Sequence, residues 1–92
     1  MTALTLETPL RRGPVLWRRS GDQVMIRRRG DDRLIVLAGT GVALWEGLAA
    51  PTTLGALVED LAVAHDAAIE TVDRDLRTAL VSLLDDEVVV AR

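Results

Sequence analysis

The stretch from Arg33 to Trp45, RLIVLAGTGVALW, constrains the fold most, because its hydrophobic period changes along its length. Its first half, Arg33 to Ala38, is a short apolar run containing β-branched residues, which is typical of a strand. A Gly-Thr-Gly segment interrupts the run, and its central Thr40 is a favourable N-cap. Apolar residues then recur at helical spacing up to Ala49. The stretch therefore predicts a strand that turns tightly into a helix.

Two shorter runs before this strand predict an antiparallel meander. Val15–Arg19 and Gln23–Arg28 have the composition of strands, and Ser20–Asp22 and Gly30–Asp32 have that of turns. Turns this short make neighbouring strands antiparallel, so the first and third strands are expected to form the sheet edges. Met1 to Pro14 is predicted to be irregular.

Three helices are predicted after the meander. In chain order they span about Gly41–Ala49, Leu54–Ala64 and Ile69–Asp85. Pro51 stops the first, and Thr52 or Thr53 caps the second. Val88-Val89-Val90 is either a fourth short strand or a tail packed on the sheet. The prediction is one α+β domain over residues 1–92, ordered over about 11–90, with the order β-β-β-α-α-α in a winged helix-turn-helix-like arrangement.

The second and third helices carry apolar stripes that are expected to face the core. The stripes consist of Leu54, Leu57, Val58, Leu61 and Ala62, and of Ile69, Val72, Leu76, Ala79, Leu80 and Leu83. Val81 and Leu84 lie off the second stripe. The third helix therefore has more apolar surface than one core contact needs.

The composition argues against a stand-alone enzyme. The chain has no cysteine and one histidine, His65, and neither Lys nor Tyr supplies an acid or base. A catalytic triad would need His65 beside Ser20 or Ser82, and a transition-metal site would need several His or Cys ligands. We therefore expect no enzyme activity, no metal and no cofactor.

Hydropathy and cysteine usage favour the cytoplasm. No apolar run approaches the ~20 residues of a membrane helix. The first ten residues lack the basic and apolar regions of a signal peptide. We expect no membrane partner.

Charge is unevenly distributed, although the net charge is only −3. The arginines before the strand-to-helix switch are Arg11, Arg12, Arg18, Arg19, Arg27, Arg28, Arg29 and Arg33, and acidic residues dominate after it. Helix three sets Arg74 and Arg77 against several acids, which is a poor footprint for phosphates. A winged-helix DNA-binding regulator is therefore the alternative hypothesis, and nucleic acid is not the expected partner.

Peptide binding by strand addition fits the pattern better. An edge strand offers unpaired N–H and C=O groups to an extended segment, and surplus apolar residues on helix three can line a groove beside it. The competing interpretation is that Leu34, Val36, Val81 and Leu84 complete the core or a homodimer contact. The residues alone leave both open.

Several patches resemble the PqqD-like peptide chaperones, also called RiPP recognition elements. The matching positions are Leu37, Gly39-Thr40, Leu44-Trp45, Thr53 to Val58, Glu70-Thr71-Val72 and Asp75-Leu76. The upstream RRGPVLWRR is also similar, so the resemblance covers about Arg11 to Val89. Position 39 is Gly where many members have Asn-Pro, and Ala67-Ala68 lacks the usual capping Asp or Pro.

The resemblance implies a function. Such domains bind the leader of a ribosomally synthesised precursor peptide as a strand added to the third strand, against the third helix. They present it to a separate modifying enzyme, such as a radical-SAM enzyme or a leader protease. Carried onto this chain, the peptide-binding residues are expected to be Arg33, Leu34, Ile35, Val36, Leu37, Asp73, Arg74, Arg77, Val81 and Leu84.

Overall fold

The computed structural model describes residues 3–92, which contain six strands and three helices. In chain order they are β1 (Pro9–Arg12), β2 (Val15–Ser20), β3 (Gln23–Arg28), β4 (Leu34–Leu37), α1 (Thr40–Gly47), β5 (Thr52–Thr53), α2 (Leu54–Ala64), α3 (Ile69–Asp85) and β6 (Val89–Val90). The predicted α+β class is confirmed. The predicted order β-β-β-α-α-α is too simple, and a winged-helix arrangement is not confirmed.

The predicted meander is present as an antiparallel sheet in the order β2-β3-β4. Ser20 pairs with Gln23 across a two-residue turn, in which Gly21 has a φ of 62°. Glycine tolerates this left-handed conformation without a steric penalty. Within the described chain, β4 pairs with β3 on one side and with no strand on the other.

A second sheet, in the order β5-β1-β6, joins the two ends of the chain. Leu10 of the central strand pairs with Thr52, and Arg12 pairs with Val89. The Gly13 N–H continues this join by donating to the carbonyl oxygen of Val88 at 2.8 Å. A Cβ at position 13 would overlap the backbone carbonyl of Glu87, so only glycine fits this approach.

This sheet shows that the prediction of an irregular Met1–Pro14 is wrong for Pro9–Arg12. Leu10 is the only apolar residue of β1 other than proline, so the segment has no alternating pattern to identify it as a strand. Pro9 is tolerated because it is the first residue of the strand. Met1 and Thr2 lie outside the described residues.

Helices α2 and α3 span the predicted residues. The Thr53 Oγ1 accepts the N–H of Ala56 at 3.2 Å, which confirms the predicted cap of α2. The prediction that Thr40 caps α1 is wrong, because Gly39 is the N-cap and Thr40 the first helical residue. Gly39 makes the turn with a φ of 55°, and no side chain caps the helix.

The core lies between the helices and both sheets. Its fully buried large side chains are Leu10, Val24, Ile26, Leu44, Trp45, Leu48, Leu54, Leu57, Val58, Leu76, Leu80 and Val88. The predicted stripe of α3 is buried at Leu76, Leu80 and Leu83, while Ile69, at the start of the helix, is exposed. Burial on this scale is the main favourable term in folding.

Replacing Ala68 by Asp is expected to stabilise the fold, because Ala68 is the N-cap of α3 and makes no side-chain cap. An aspartate cap contributes about 0.5–2 kcal/mol through its hydrogen bond to the first turn and its charge at the helix N-terminus. Urea unfolding measures the change. Ala67→Asp adds the same charge one residue earlier, and an equal gain there would contradict the capping explanation.

Candidate functional site

A groove lies between β4 and α3, with a volume of about 480 Å³. We call it the β4–α3 groove. Its lining residues are Val36, Leu37, Ala38, Thr40, Gly41, Asp75, Thr78, Ala79, Ser82 and Leu83. The C-terminal strand β6 pairs with β1 and so does not cover this edge of the meander.

The hydrogen-bond pattern of the meander determines which backbone groups of β3 face β4. Ser20 and Gln23 close a two-residue turn, so their N–H and C=O groups face each other. Hydrogen-bonded and non-hydrogen-bonded pairs alternate along an antiparallel ladder. The backbone groups of Val24 and Ile26 therefore face β4.

The same alternation leaves two residues of β4 open. Leu37 and Ile35 are the partners of those two β3 residues, so their backbone groups are used within the sheet. Leu34 and Val36 alternate with Ile35 and Leu37 along β4, so their N–H and C=O groups point away from β3. The open edge therefore offers two donors and two acceptors to an extended chain.

The helix side of the groove is formed mainly by small side chains. Thr78 and Ala79 precede Ser82 by four and three residues, so both lie beside it on one face of α3. Leu37 and Leu83 are buried and line the apolar part of the groove. Small side chains beside apolar ones leave room for an apolar side chain from a bound peptide.

The predicted β4 residues lie together at this edge. Leu34 and Val36 are 51% and 46% exposed, and Leu37 lines the groove. The Arg33 Nη2 donates to Asp86 Oδ1 at 2.8 Å, which ties the start of β4 to the end of α3. This hydrogen bond, together with the carboxylate charge, raises the pKa of Arg33. Because a guanidinium is always protonated in proteins, Arg33 places a positive charge at one end of the edge.

None of the five predicted α3 residues lines the groove, and four of them make contacts elsewhere. The Arg77 Nε donates to Asp73 Oδ1 at 2.9 Å, and its Nη1 donates to the carbonyl oxygen of Leu4. Val81 and Leu84 line a different depression, together with Leu4 and the C-terminal residues.

The fifth predicted α3 residue, Arg74, contacts the only charged side chain that lines the groove. Its Nε lies 3.4 Å from Asp75 Oδ1, although Arg74 itself is not among the lining residues. The tilt of α3 over the sheet decides which of its flanks faces β4, and helical periodicity carries no information about that tilt.

The groove residues on α3 that sequence reasoning missed are Asp75, Thr78 and Ser82. Ala79, a residue of the predicted core stripe, is half-buried against the core and also lines the groove. The available signal is the run of small and hydroxyl side chains next to the apolar stripe. Such a run marks a shallow flank where a helix does not press against its neighbour.

Exposure decides between the core and surface interpretations of four apolar residues. Leu34 and Val36 are about half exposed and Val81 is 68% exposed, so these three do not complete the core. Leu84 is half-buried against the core. The first two instead form part of the outer face of the meander, where Leu34 lies in a depression with Leu16 and Met25.

No reactive cluster accompanies the groove in the described residues. His65 is the C-cap residue of α2, and the hydrogen bonds of residues 3–92 do not connect it to Ser20 or Ser82. In the same range, no group of three or more His, Asp or Glu side chains is placed to share a metal ion. Residues 3–92 also contain no helix that is long and apolar enough to cross a bilayer.

Comparison with known proteins identifies the family. No curated protein and no solved structure matches the chain significantly. The family model described as "Coenzyme PQQ synthesis protein D (PqqD)" matches residues 23–89. The match begins at the first residue of β3 and ends within β6, so it includes both walls of the β4–α3 groove. The chain therefore belongs to the PqqD family and is a PqqD-like RiPP recognition element.

Proposed function

We propose that this protein captures the leader of a ribosomally synthesised precursor peptide as a strand added to β4, and presents it to a separate modifying enzyme. The observation that carries the proposal is the open edge of β4, at Leu34 and Val36, beside the β4–α3 groove. Membership of the PqqD family supports an accessory role in the biosynthesis of such peptides.

Backbone pairing alone does not hold the peptide. Each net backbone hydrogen bond contributes about 0.5–1.5 kcal/mol, whereas ordering one peptide residue costs about 1–2 kcal/mol. These two contributions roughly cancel. Net affinity must therefore come from apolar side chains of the leader, each contributing about 1.5–3 kcal/mol when buried.

The groove provides the place for such a side chain. Side chains of an added strand alternate between the two faces of the sheet, so every second one points toward α3. There it meets Ala79, Leu83 and Leu37, which are half-buried or buried. The intervening side chains lie beside the exposed Leu34 and Val36 on the outer face. We expect a leader with apolar residues at alternate positions.

The proposed role is non-catalytic. The chain binds and orients the leader, and the modifying enzyme, such as a radical-SAM enzyme or a leader protease, supplies the chemistry. Nothing in this role requires a metal or cofactor on this chain, and the proposed cytoplasmic location agrees with where ribosomal precursors are made.

No specific observation favours DNA binding. Both central arginines of α3 contact acids, Arg74 with Asp75 and Arg77 with Asp73. A helix that reads DNA brings unpaired cations toward the phosphates. A gel shift on random duplex at low salt is expected to show no complex.

The direct test is a titration of the labelled protein with the leader of the precursor encoded beside it, followed by amide NMR shifts. We expect saturable shifts at Leu34 to Leu37 and along the groove side of α3, with micromolar or tighter affinity, about −8 kcal/mol or better. Saturable binding with shifts confined to other parts of the chain would contradict strand addition at β4.

Val36→Pro is expected to weaken leader binding about tenfold, because it removes an outward N–H that the added strand needs. Proline on an edge strand, with its missing N–H toward solvent, leaves the ladder with β3 intact. Val36→Thr keeps the N–H at nearly the same volume and serves as the control. Calorimetric titration measures both, and equal affinity for the two variants would argue against a backbone contact at this residue.

A further inference from the structure

A second depression lies at the end of the β4–α3 groove, between the three helices. Its volume is about 380 Å³, and we call it the three-helix pocket. It is lined by Gly39, Thr40, Ala43, Leu61, His65, Ala67, Thr71, Val72 and Asp75. Each of the three helices contributes to its walls.

The chemistry of the three-helix pocket suits an apolar side chain. Ala43, Leu61 and Val72 are half-buried and line it from α1, α2 and α3 respectively. Its polar lining residues, Thr40, His65, Thr71 and Asp75, are all exposed. A concave, mainly apolar site with few polar groups is the usual form of a binding site for an apolar group.

The three-helix pocket is continuous with the groove. Thr40 and Asp75 line both depressions. β4 ends at Leu37, and Gly39 then turns the chain into α1 with its φ of 55°. A strand added to β4 therefore loses its pairing partner at this point, and the next residues of the peptide lie over the pocket.

We propose that the three-helix pocket binds an apolar side chain of the leader, immediately beyond the segment that pairs with β4. This inference rests on the proposed function and adds a second recognition element to it. Its occupant is the same peptide, because the pocket opens from the groove through shared residues. The protein then recognises the leader by a short segment that pairs with β4 and by an apolar side chain, the anchor, that follows this segment.

Two variants test the anchor from the protein side. Ala43→Leu fills the pocket from α1, and Thr71→Phe covers it from an exposed position of α3. Each is expected to weaken the leader about tenfold, while the saturating amide shifts of residues 34–37 persist. Val63→Leu, at a position of α2 that is 83% exposed and does not line the pocket, is the matched control and should bind like the parent.

A substitution in the leader peptide completes a double-mutant cycle with Ala43→Leu. In the parent protein, replacing by alanine the apolar leader residue just beyond the paired segment should also cost about tenfold. In Ala43→Leu the same replacement should cost little further, because contacting residues are not additive. Circular dichroism confirms that each variant is folded. If Ala43→Leu does not fold, Thr71→Phe and the peptide substitution decide the question.

The outcomes separate the two proposals. Leader binding with shifts at residues 34–37, but without shifts at Ala43, Leu61 and Val72 and without loss in either variant, would overturn the anchor and leave strand addition standing. Absence of leader binding by the parent protein would overturn the proposed function itself.

Discussion

Replacing Ser82 by tryptophan is expected to weaken leader binding by about 10- to 100-fold, because the indole would occupy the β4–α3 groove. Ser82 is exposed on the flank of α3 that faces β4. Losing one buried apolar anchor costs about 1.5–3 kcal/mol, and each 1.4 kcal/mol is a factor of ten in affinity. Isothermal titration with the leader peptide measures the change, and thermal unfolding shows whether the variant keeps its fold.

Val81→Trp is the informative comparison. Val81 is the neighbouring residue on α3, is 68% exposed, and lines the depression with Leu4 and Leu84 instead of the groove. The two variants add the same side chain to opposite flanks of one helix. A loss of affinity in Val81→Trp, with Ser82→Trp unaffected, would show that the leader uses the flank first assigned from the family resemblance and would refute the groove.

The elements that the sequence predicts correctly are those with a strong local pattern. β4 is an apolar run, and α2 and α3 have long amphipathic stripes with clear ends. Thr53 has the right chemistry for a cap and a conformation that lets it act as one. These elements are predicted correctly because their local preferences agree with the tertiary packing and are not overridden by it.

The features that escape prediction depend on contacts between distant residues. The pairings of β1 with β5 and β6 each involve only two residue pairs, at positions far apart in the sequence. β5 is too short to show alternation, and β6 confirms the predicted alternative of a short strand at Val88–Val90 although its pairing with β1 was not predicted. Thr40 looks like a cap, but Gly39 takes that position because it can adopt a positive φ.

The candidate site also has one part that the sequence predicts, the edge of β4, and one that it does not, the flank of α3. The open edge follows from the order of the meander, which short turns determine, so the sequence correctly predicts that β4 is an edge strand. The groove flank of α3 depends on how the helix lies over the sheet. The stripe of Leu76, Leu80 and Leu83 predicts which face of α3 is buried, but the flank that faces β4 depends on the direction in which α3 crosses the sheet, and no local pattern encodes that direction.

The uneven charge distribution has a structural role. Arginines from the meander meet acids from the helices in Arg33–Asp86 at 2.8 Å, in Arg28–Asp86 at 3.9 Å, and in Arg19–Glu46. All three pairs are partly or largely exposed to water, which screens them, so they are expected to add little to the stability of the fold. Arg33–Asp86 in particular links the two walls of the groove at one end.

Trp45 is expected to be the residue whose loss destabilises the fold most. It is fully buried, and its ring packs edge-on against Trp17 with centroids 5.6 Å apart and an interplanar angle of 75°. The Arg12 guanidinium lies 4.6 Å from the Trp45 ring centre and 4.7 Å from that of Trp17. Its Nη2 donates to the Trp45 carbonyl oxygen at 2.8 Å, and burial lowers the pKa of Arg12.

Trp45→Ala is therefore expected to lower the free energy of unfolding by about 3–5 kcal/mol, a large part of the stability of a small domain. Urea unfolding followed by circular dichroism measures the change. Trp17→Ala is the matched control and should cost less than half as much, because Trp17 is 45% exposed. Trp45→Phe keeps most of the volume and removes a buried indole N–H that has no partner among residues 3–92, so it should cost less than Trp45→Ala. Equal losses for Trp17→Ala and Trp45→Ala would refute the assignment of Trp45 as the centre of the core.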